Sequence, residues 1–116
     1  MAAAGVLLAG CGAPSGVADQ AEALGSTAAE GELLAHDAAE GSTTNAFTRV
    51  HARALARQAT TVRDHAANPA VRRLAVRIET RLERLADEPQ DRGGAARAED
   101  DLGAAADRAQ RLEGGA

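Results

Sequence analysis

The chain has 116 residues, the size of one small domain, and a formal net charge of −4. It contains thirteen arginines, no lysine, and Phe47 as its single aromatic residue. So few aromatic side chains argue against stacking platforms for nucleic-acid bases and against an aromatic cage for a cationic ligand. Nucleic acid is therefore not an expected partner.

An uncharged run near the N-terminus ends in Leu8-Ala9-Gly10-Cys11, and Cys11 is the only cysteine of the chain. This tetrad resembles the lipobox of bacterial lipoproteins, in which small apolar residues precede a cysteine. The resemblance implies that a diacylglycerol is attached to the Cys11 thiol and that the peptide before it is removed. It also implies an extracytoplasmic location, with the protein held to a membrane by lipid; whether this is the inner or the outer membrane stays open.

On this interpretation residues 1–10 are a short signal peptide, and residues 11–16 are the lipid anchor and its tether. The apolar run is far shorter than the ~20 residues of a membrane span, so we expect a lipid anchor rather than a transmembrane helix. No Lys or Arg precedes the run, whereas a secretory signal usually starts with positive charge. Two explanations stay open: a basic segment lies upstream of Met1, or Cys11 is a free thiol in a cytosolic helical protein.

After the tether, apolar residues recur at alternating intervals of three and four, which is the spacing of one helix face. This pattern predicts helices at about 17–40, 45–66, 69–87 and 95–113, with a tail at 114–116. The core-facing residues predicted for the first two helices are Val17, Ala21, Leu24, Ala28, Gly31, Leu33, Leu34, Ala35, Ala38, Phe47, Val50, Ala54, Leu55, Gln58, Val62 and Ala66. Those predicted for the last two are Val71, Leu74, Ile78, Leu82, Leu85, Ala95, Ala98, Leu102, Ala105, Ala109 and Leu112.

Helix-terminating and helix-capping residues support these boundaries. Gly41 is a stop signal for the first helix, and Thr44 is the preferred N-cap of the second. Asn68 is an expected N-cap followed by Pro69 at the first helical position. Gly93-Gly94 is expected to close a loop before the last helix.

Each amphipathic helix must bury its apolar face against another element, so the fold class is all-α, with residues 17–113 forming a small antiparallel four-helix bundle. The apolar stripe of the last helix is mostly alanine, so this helix is expected to pack most weakly against the others. The alternative is therefore a three-helix core with a loosely docked C-terminal helix.

Charge is uneven along the chain. Residues 17–40 carry six carboxylates and no arginine, whereas residues 49–84 carry nine arginines against three carboxylates. We expect the acidic first helix to lie beside the basic second and third helices. The alternative use of the arginines is a surface for a partner or an anionic lipid.

The histidines are the strongest candidates for a metal site. A hairpin between the first two helices brings position 36 level with about position 50, which would bring together His36, His51, Asp37 and Glu40. Two histidines with one or two carboxylates suit zinc or another transition ion. Ordinary capping or half-buried histidines explain the same pattern, and we expect no metal or other cofactor.

No catalytic constellation is found, because the sequence has no recognisable nucleophile elbow and no phosphate-binding glycine loop after a strand. The expected function is therefore that of a non-enzymatic, lipid-anchored envelope protein that binds or scaffolds a protein partner through a helix face. A metal-binding lipoprotein that uses His36 and His51 is the alternative from another functional class.

Overall fold

The computed structural model of the protein describes residues 15–115. The predicted signal peptide, Cys11, the first part of the tether and Ala116 lie outside the described residues. Within the described range the chain forms four helices and no strand: α1 (Val17–Glu40), α2 (Asn45–His65), α3 (Pro69–Asp87) and α4 (Arg92–Glu113). None of these helices is long and apolar enough to cross a bilayer.

Local capping explains where the helices begin and end. Thr44 accepts a hydrogen bond from the Phe47 amide at 3.0 Å, which confirms it as the N-cap of α2. The Asn68 side chain accepts from the amides of Ala70 and Val71 at 2.8 and 3.2 Å, which confirms the predicted start of α3. Gly41 ends α1 with a φ of 73°, a left-handed conformation that glycine adopts without strain.

The start of α4 differs from the prediction. The helix begins at Arg92 rather than near residue 95, and Gly93-Gly94 form part of its first turn. Asp91 is the N-cap, with its carboxylate accepting from the Gly94 amide at 2.9 Å. A Cβ on residue 94 would lie 2.6 Å from that carboxylate, so glycine lets the cap close instead of interrupting the helix.

Cross-helix contacts establish the antiparallel arrangement. Gly25 of α1 lies against Ala109 of α4, and further along α1 His36 contacts Glu99, which precedes Ala109 on α4. The most extensive interface in the bundle joins α1 to α4, and the second joins α2 to α3. The four-helix bundle is thus confirmed, and the alternative of a loosely docked C-terminal helix is wrong.

The small side chains of α4 explain this result, because alanine and glycine let two helices pack closely and bury both stripes. All predicted core residues of α3 and α4 are buried. The residues wrongly predicted as core lie on the first two helices, where Val17, Leu33, Phe47 and Val50 are exposed and Ala54 and Gln58 are not buried. Buried positions of α2 missed by the prediction are Thr48, Ala52, Ala56 and Ala59.

The helix neighbours predicted from charge are partly wrong. The acidic α1 does contact α2 and α3, but its main partner is α4, and the two arginine-rich helices pair with each other. Among the described residues no ion pair joins α1 to α2 or α3; the α2–α3 pairs are Arg53–Asp87 and Arg63–Glu79. Apolar fit between small residues therefore decides the pairing, since exposed ion pairs contribute little.

Candidate anion-binding groove

The predicted metal ligands do not form one cluster. His36 lies on α1 with its Nδ1 atom 3.0 Å from Oε2 of Glu99 on α4. The hydrogen bond to Glu99 and then the charge of Glu99 raise the pKa of His36 above its ordinary value of 6.5, with smaller contributions from Glu40 and Asp37. His36 is thus one half of an exposed ion pair between α1 and α4.

His51 has a different neighbour. Its ring lies 5.4 Å from the ring of Phe47, one turn earlier on α2. Across residues 15–115 no three histidine, cysteine or carboxylate side chains come together as a group that could hold a metal ion. The structure therefore gives the metal-site hypothesis for His36 and His51 no support in this range.

A groove between α3 and α4 has a volume of about 800 Å³. We call it the arginine groove because four of its seven lining residues are arginines. The lining residues are Ala70, Arg72, Arg73, Leu74, Val76, Arg77 and Arg108. Six of them come from the first turns of α3, and Arg108 comes from the last turns of α4.

Helical spacing explains how these side chains share one opening. Arg73 and Arg77 are four residues apart on α3, so they lie one above the other on the same face. Leu74 is buried in the core, whereas Val76 is 42 % exposed. The groove thus combines apolar surface with guanidinium groups.

Within residues 15–115 the arginines of the groove lack carboxylate partners. No lining residue is acidic, and none of the four arginines forms an ion pair within the described residues. Arg72 donates from Nη2 to the carbonyl oxygen of Ala66 at 2.5 Å, which caps the end of α2. Outside the groove, Arg53, Arg63 and Arg81 are each paired with a carboxylate, whereas the other arginines of residues 15–115 form no ion pair.

The groove lies at the end of the bundle where α1 begins. Residues Ser15 to Val17 share a surface depression with His65 and the α2–α3 connection, so the chain enters α1 where α3 begins. We call this the tether end. The groove residues of α3 extend from Ala70 to Arg77, which at 1.5 Å per residue puts them within about 12 Å of the start of α3.

Unpaired guanidinium groups around an exposed apolar strip can bind an anion that carries an apolar part. Arginine presents a planar fork of donors that matches the oxygens of phosphate or carboxylate. Arg72, Arg73 and Arg77 belong to the arginine-rich stretch of residues 49–84 noted in the sequence, whereas Arg108 lies outside that stretch and was missed. Its signal was weak, because it is one arginine on a different helix and only the tertiary packing brings it to α3.

Comparisons with known proteins add nothing to this assignment: no protein-family model, curated protein or solved structure matches the chain.

Proposed function

We propose that this chain is a lipid-anchored protein of the bacterial cell envelope, outside the cytoplasmic membrane, and that its bundle binds an anionic partner through the arginine groove. The observation that carries the binding role is the set of four arginines with no carboxylate in the same groove. A protein with a net charge of −4 has enough carboxylates to pair these arginines internally, yet no carboxylate of residues 15–115 pairs with them.

The anchoring part of the proposal is supported by the segment before the bundle. Leu8-Ala9-Gly10-Cys11 has the residue types of a lipobox. The first buried residue in the described range is Gln20, and Ser15 to Val17 are exposed. The described core therefore does not depend on the first residues of that range, which suits a segment that joins the bundle to an anchor.

The role proposed is binding rather than catalysis. General acid–base or nucleophilic catalysis needs a positioned pair of groups in a cleft. The arginine groove offers guanidinium groups, which remain protonated and serve to bind and orient anions. Binding of an anionic ligand is thus the function that its chemistry suits best.

Cell fractionation with intact-mass measurement of the full chain tests the anchor. We expect the native chain in the membrane fraction and starting at Cys11. Its mass should equal that of residues 11–116 plus the attached acyl chains. The Cys11→Ser variant should lack the acyl mass and be released from the membrane fraction by a wash at about 1 M salt, which the native chain should withstand. Recovery of the native chain from the cytosol, with Met1 and an unmodified thiol, would overturn the anchor in favour of the cytosolic alternative.

A further inference from the structure

We infer that the partner of the arginine groove is the layer of anionic phospholipid headgroups in the membrane to which Cys11 anchors the chain. This inference rests on the proposed function and specifies its partner. The groove would hold the tether end of the bundle against the bilayer surface, so that the lipid anchor and the arginines act on one membrane.

The short tether carries the first part of the argument. Residues 12–16 separate Cys11 from α1, and five residues span at most about 18 Å whatever their conformation. A lipid on Cys11 therefore keeps the start of α1 close to the bilayer. The arginine groove lies at this same end of the bundle, so its guanidinium groups stay within reach of the headgroups.

The charge distribution gives the second part. Cross-helix contacts such as Thr27 with Gln58 and Arg81 with Asp101 show which residues of different helices lie at the same height along the bundle axis. The half of the bundle at the tether end (residues 17–29, 56–80 and 105–113) has seven arginines and six carboxylates. The far half (residues 30–55 and 81–104) has six arginines and eleven carboxylates. An anionic surface therefore repels the far half and tolerates the tether end.

The groove chemistry gives the third part. Guanidinium groups bind phosphate oxygens through two parallel hydrogen bonds, and the exposed Val76 offers apolar contact beside them. Lipid headgroups present phosphate above an apolar layer, which is the same combination. An acidic segment of a protein would satisfy the charges, but nothing would confine it to the end next to the anchor.

Vesicle binding by the full chain with Cys11→Ser separates the groove from the acyl chains. We expect this variant to co-sediment with phosphatidylcholine vesicles that contain one-third phosphatidylglycerol, and not with phosphatidylcholine alone. Raising the salt from about 0.1 to about 1 M shortens the Debye length from about 10 to about 3 Å and should release the protein.

Matched triple variants in the Cys11→Ser chain locate the binding surface. Arg73→Gln/Arg77→Gln/Arg108→Gln removes three groove charges; Arg49→Gln/Arg84→Gln/Arg97→Gln removes three unpaired charges from the far half. A basic residue near an anionic membrane contributes roughly a fivefold factor in partitioning, so the groove variant should bind about 100-fold more weakly. The control should lose far less. Equal losses in the two variants, with helical circular dichroism retained in both, would overturn the assignment.

A single labelled cysteine gives a second measurement. With Cys11→Ser as background, Val76→Cys places an environment-sensitive dye in the groove, and Leu33→Cys places it in the far half. We expect a blue shift on anionic vesicles at position 76 only. A blue shift at position 33 alone would overturn the lipid assignment. Binding to polyglutamate but not to vesicles would also overturn it, and would indicate an acidic protein partner.

The two proposals fail in different measurements. Loss of the anchor would be seen in the intact mass of the native chain, whereas loss of the groove assignment would be seen in vesicle binding of the Cys11→Ser variants.

Discussion

Gly31 of α1 lies directly against Leu102 of α4: a Cβ built on residue 31 would be 3.1 Å from Cδ1 of Leu102 and 2.9 Å from Cδ2 of Leu82. Both leucines are almost completely buried. One glycine thus allows α1, α3 and α4 to meet at a single point of the core, and the close packing of α4 depends on that contact.

Gly31→Ala should therefore destabilise the protein, although alanine is the better helix former. The propensity gain of about 1 kcal/mol is opposed by overpacking of about 1–3 kcal/mol against two buried leucines. We expect a net loss of about 1 kcal/mol in the free energy of unfolding, measured by urea denaturation.

Gly103→Ala is the matched control on α4. Its Cβ would also come within 2.9 Å of a neighbour, but that neighbour is a carboxylate oxygen of Glu32, at the end of a flexible side chain that can move aside. This variant should be more stable than the native protein by about 0.5–1 kcal/mol. Equal effects of the two substitutions would contradict the packing argument.

Leu102→Ala tests how firmly α4 is docked. Leu102 is 1 % exposed, so its truncation should cost about 2–5 kcal/mol, as for a central core leucine. Leu82→Ala on α3 should cost a similar amount, and Leu33→Ala, at an exposed position, should change stability by less than about 0.5 kcal/mol. A loss at Leu102 as small as that at Leu33 would restore the three-helix alternative.

Glu79 connects α2 and α3 through two charged hydrogen bonds. Its carboxylate accepts from Thr60 at 2.5 Å and from Arg63 at 2.6 Å, while the residue is 8 % exposed. Glu79→Ala should lower the free energy of unfolding by about 2 kcal/mol, since hydrogen bonds to charged groups contribute about 1.5–3 kcal/mol. Thr60→Val, which removes only one donor, should cost less; the reverse order would show that the carboxylate is not the centre of this network.

His36 should make stability depend on pH. Because Glu99 raises the pKa of His36 in the folded state above 6.5, the ion pair stabilises the protein fully below pH 6.5. This contribution is lost as the pH rises through the raised pKa. We expect His36→Gln to melt below the native protein at about pH 6, and the difference to shrink as the pH rises through the raised pKa, as followed by circular dichroism.

Glu99→Gln is the control for this titration, because it removes the partner and leaves the imidazole. In that variant the NMR titration of His36 should move back toward 6.5. A His36 pKa that does not change between the native chain and Glu99→Gln would contradict the ion pair.

Much of the fold follows from local sequence. The capping residues Thr44 and Asn68 and the stop at Gly41 determine helix ends through hydrogen bonds and backbone freedom that involve only near neighbours. The helical spacing of the leucines of α3 identifies its buried face, because this spacing is also a property of a short stretch of sequence. The prediction of buried residues fails where a large apolar residue lies at the edge of the apolar stripe of its helix, as with Phe47 and Val50. The spacing of apolar residues does not show how far a neighbouring helix covers that edge.

The candidate groove could be predicted only in part. The cationic residues of α3 are visible in the sequence, but whether each is paired depends on which helix lies beside it. Arg81 meets Asp101 on α4, whereas Arg77, one turn earlier, lines the arginine groove with Arg108. The helix contacts decide this difference.

The sequence by itself determined the number of helices and most of their ends, because each depends on interactions within a few residues. Only the tertiary structure decided that α1 pairs chiefly with α4, that His36 meets Glu99, and that four arginines share one groove. The physical reason is that helix pairing depends on the fit of small side chains across an interface, and Gly31 can be recognised as part of that fit only when Leu82 and Leu102 are seen beside it.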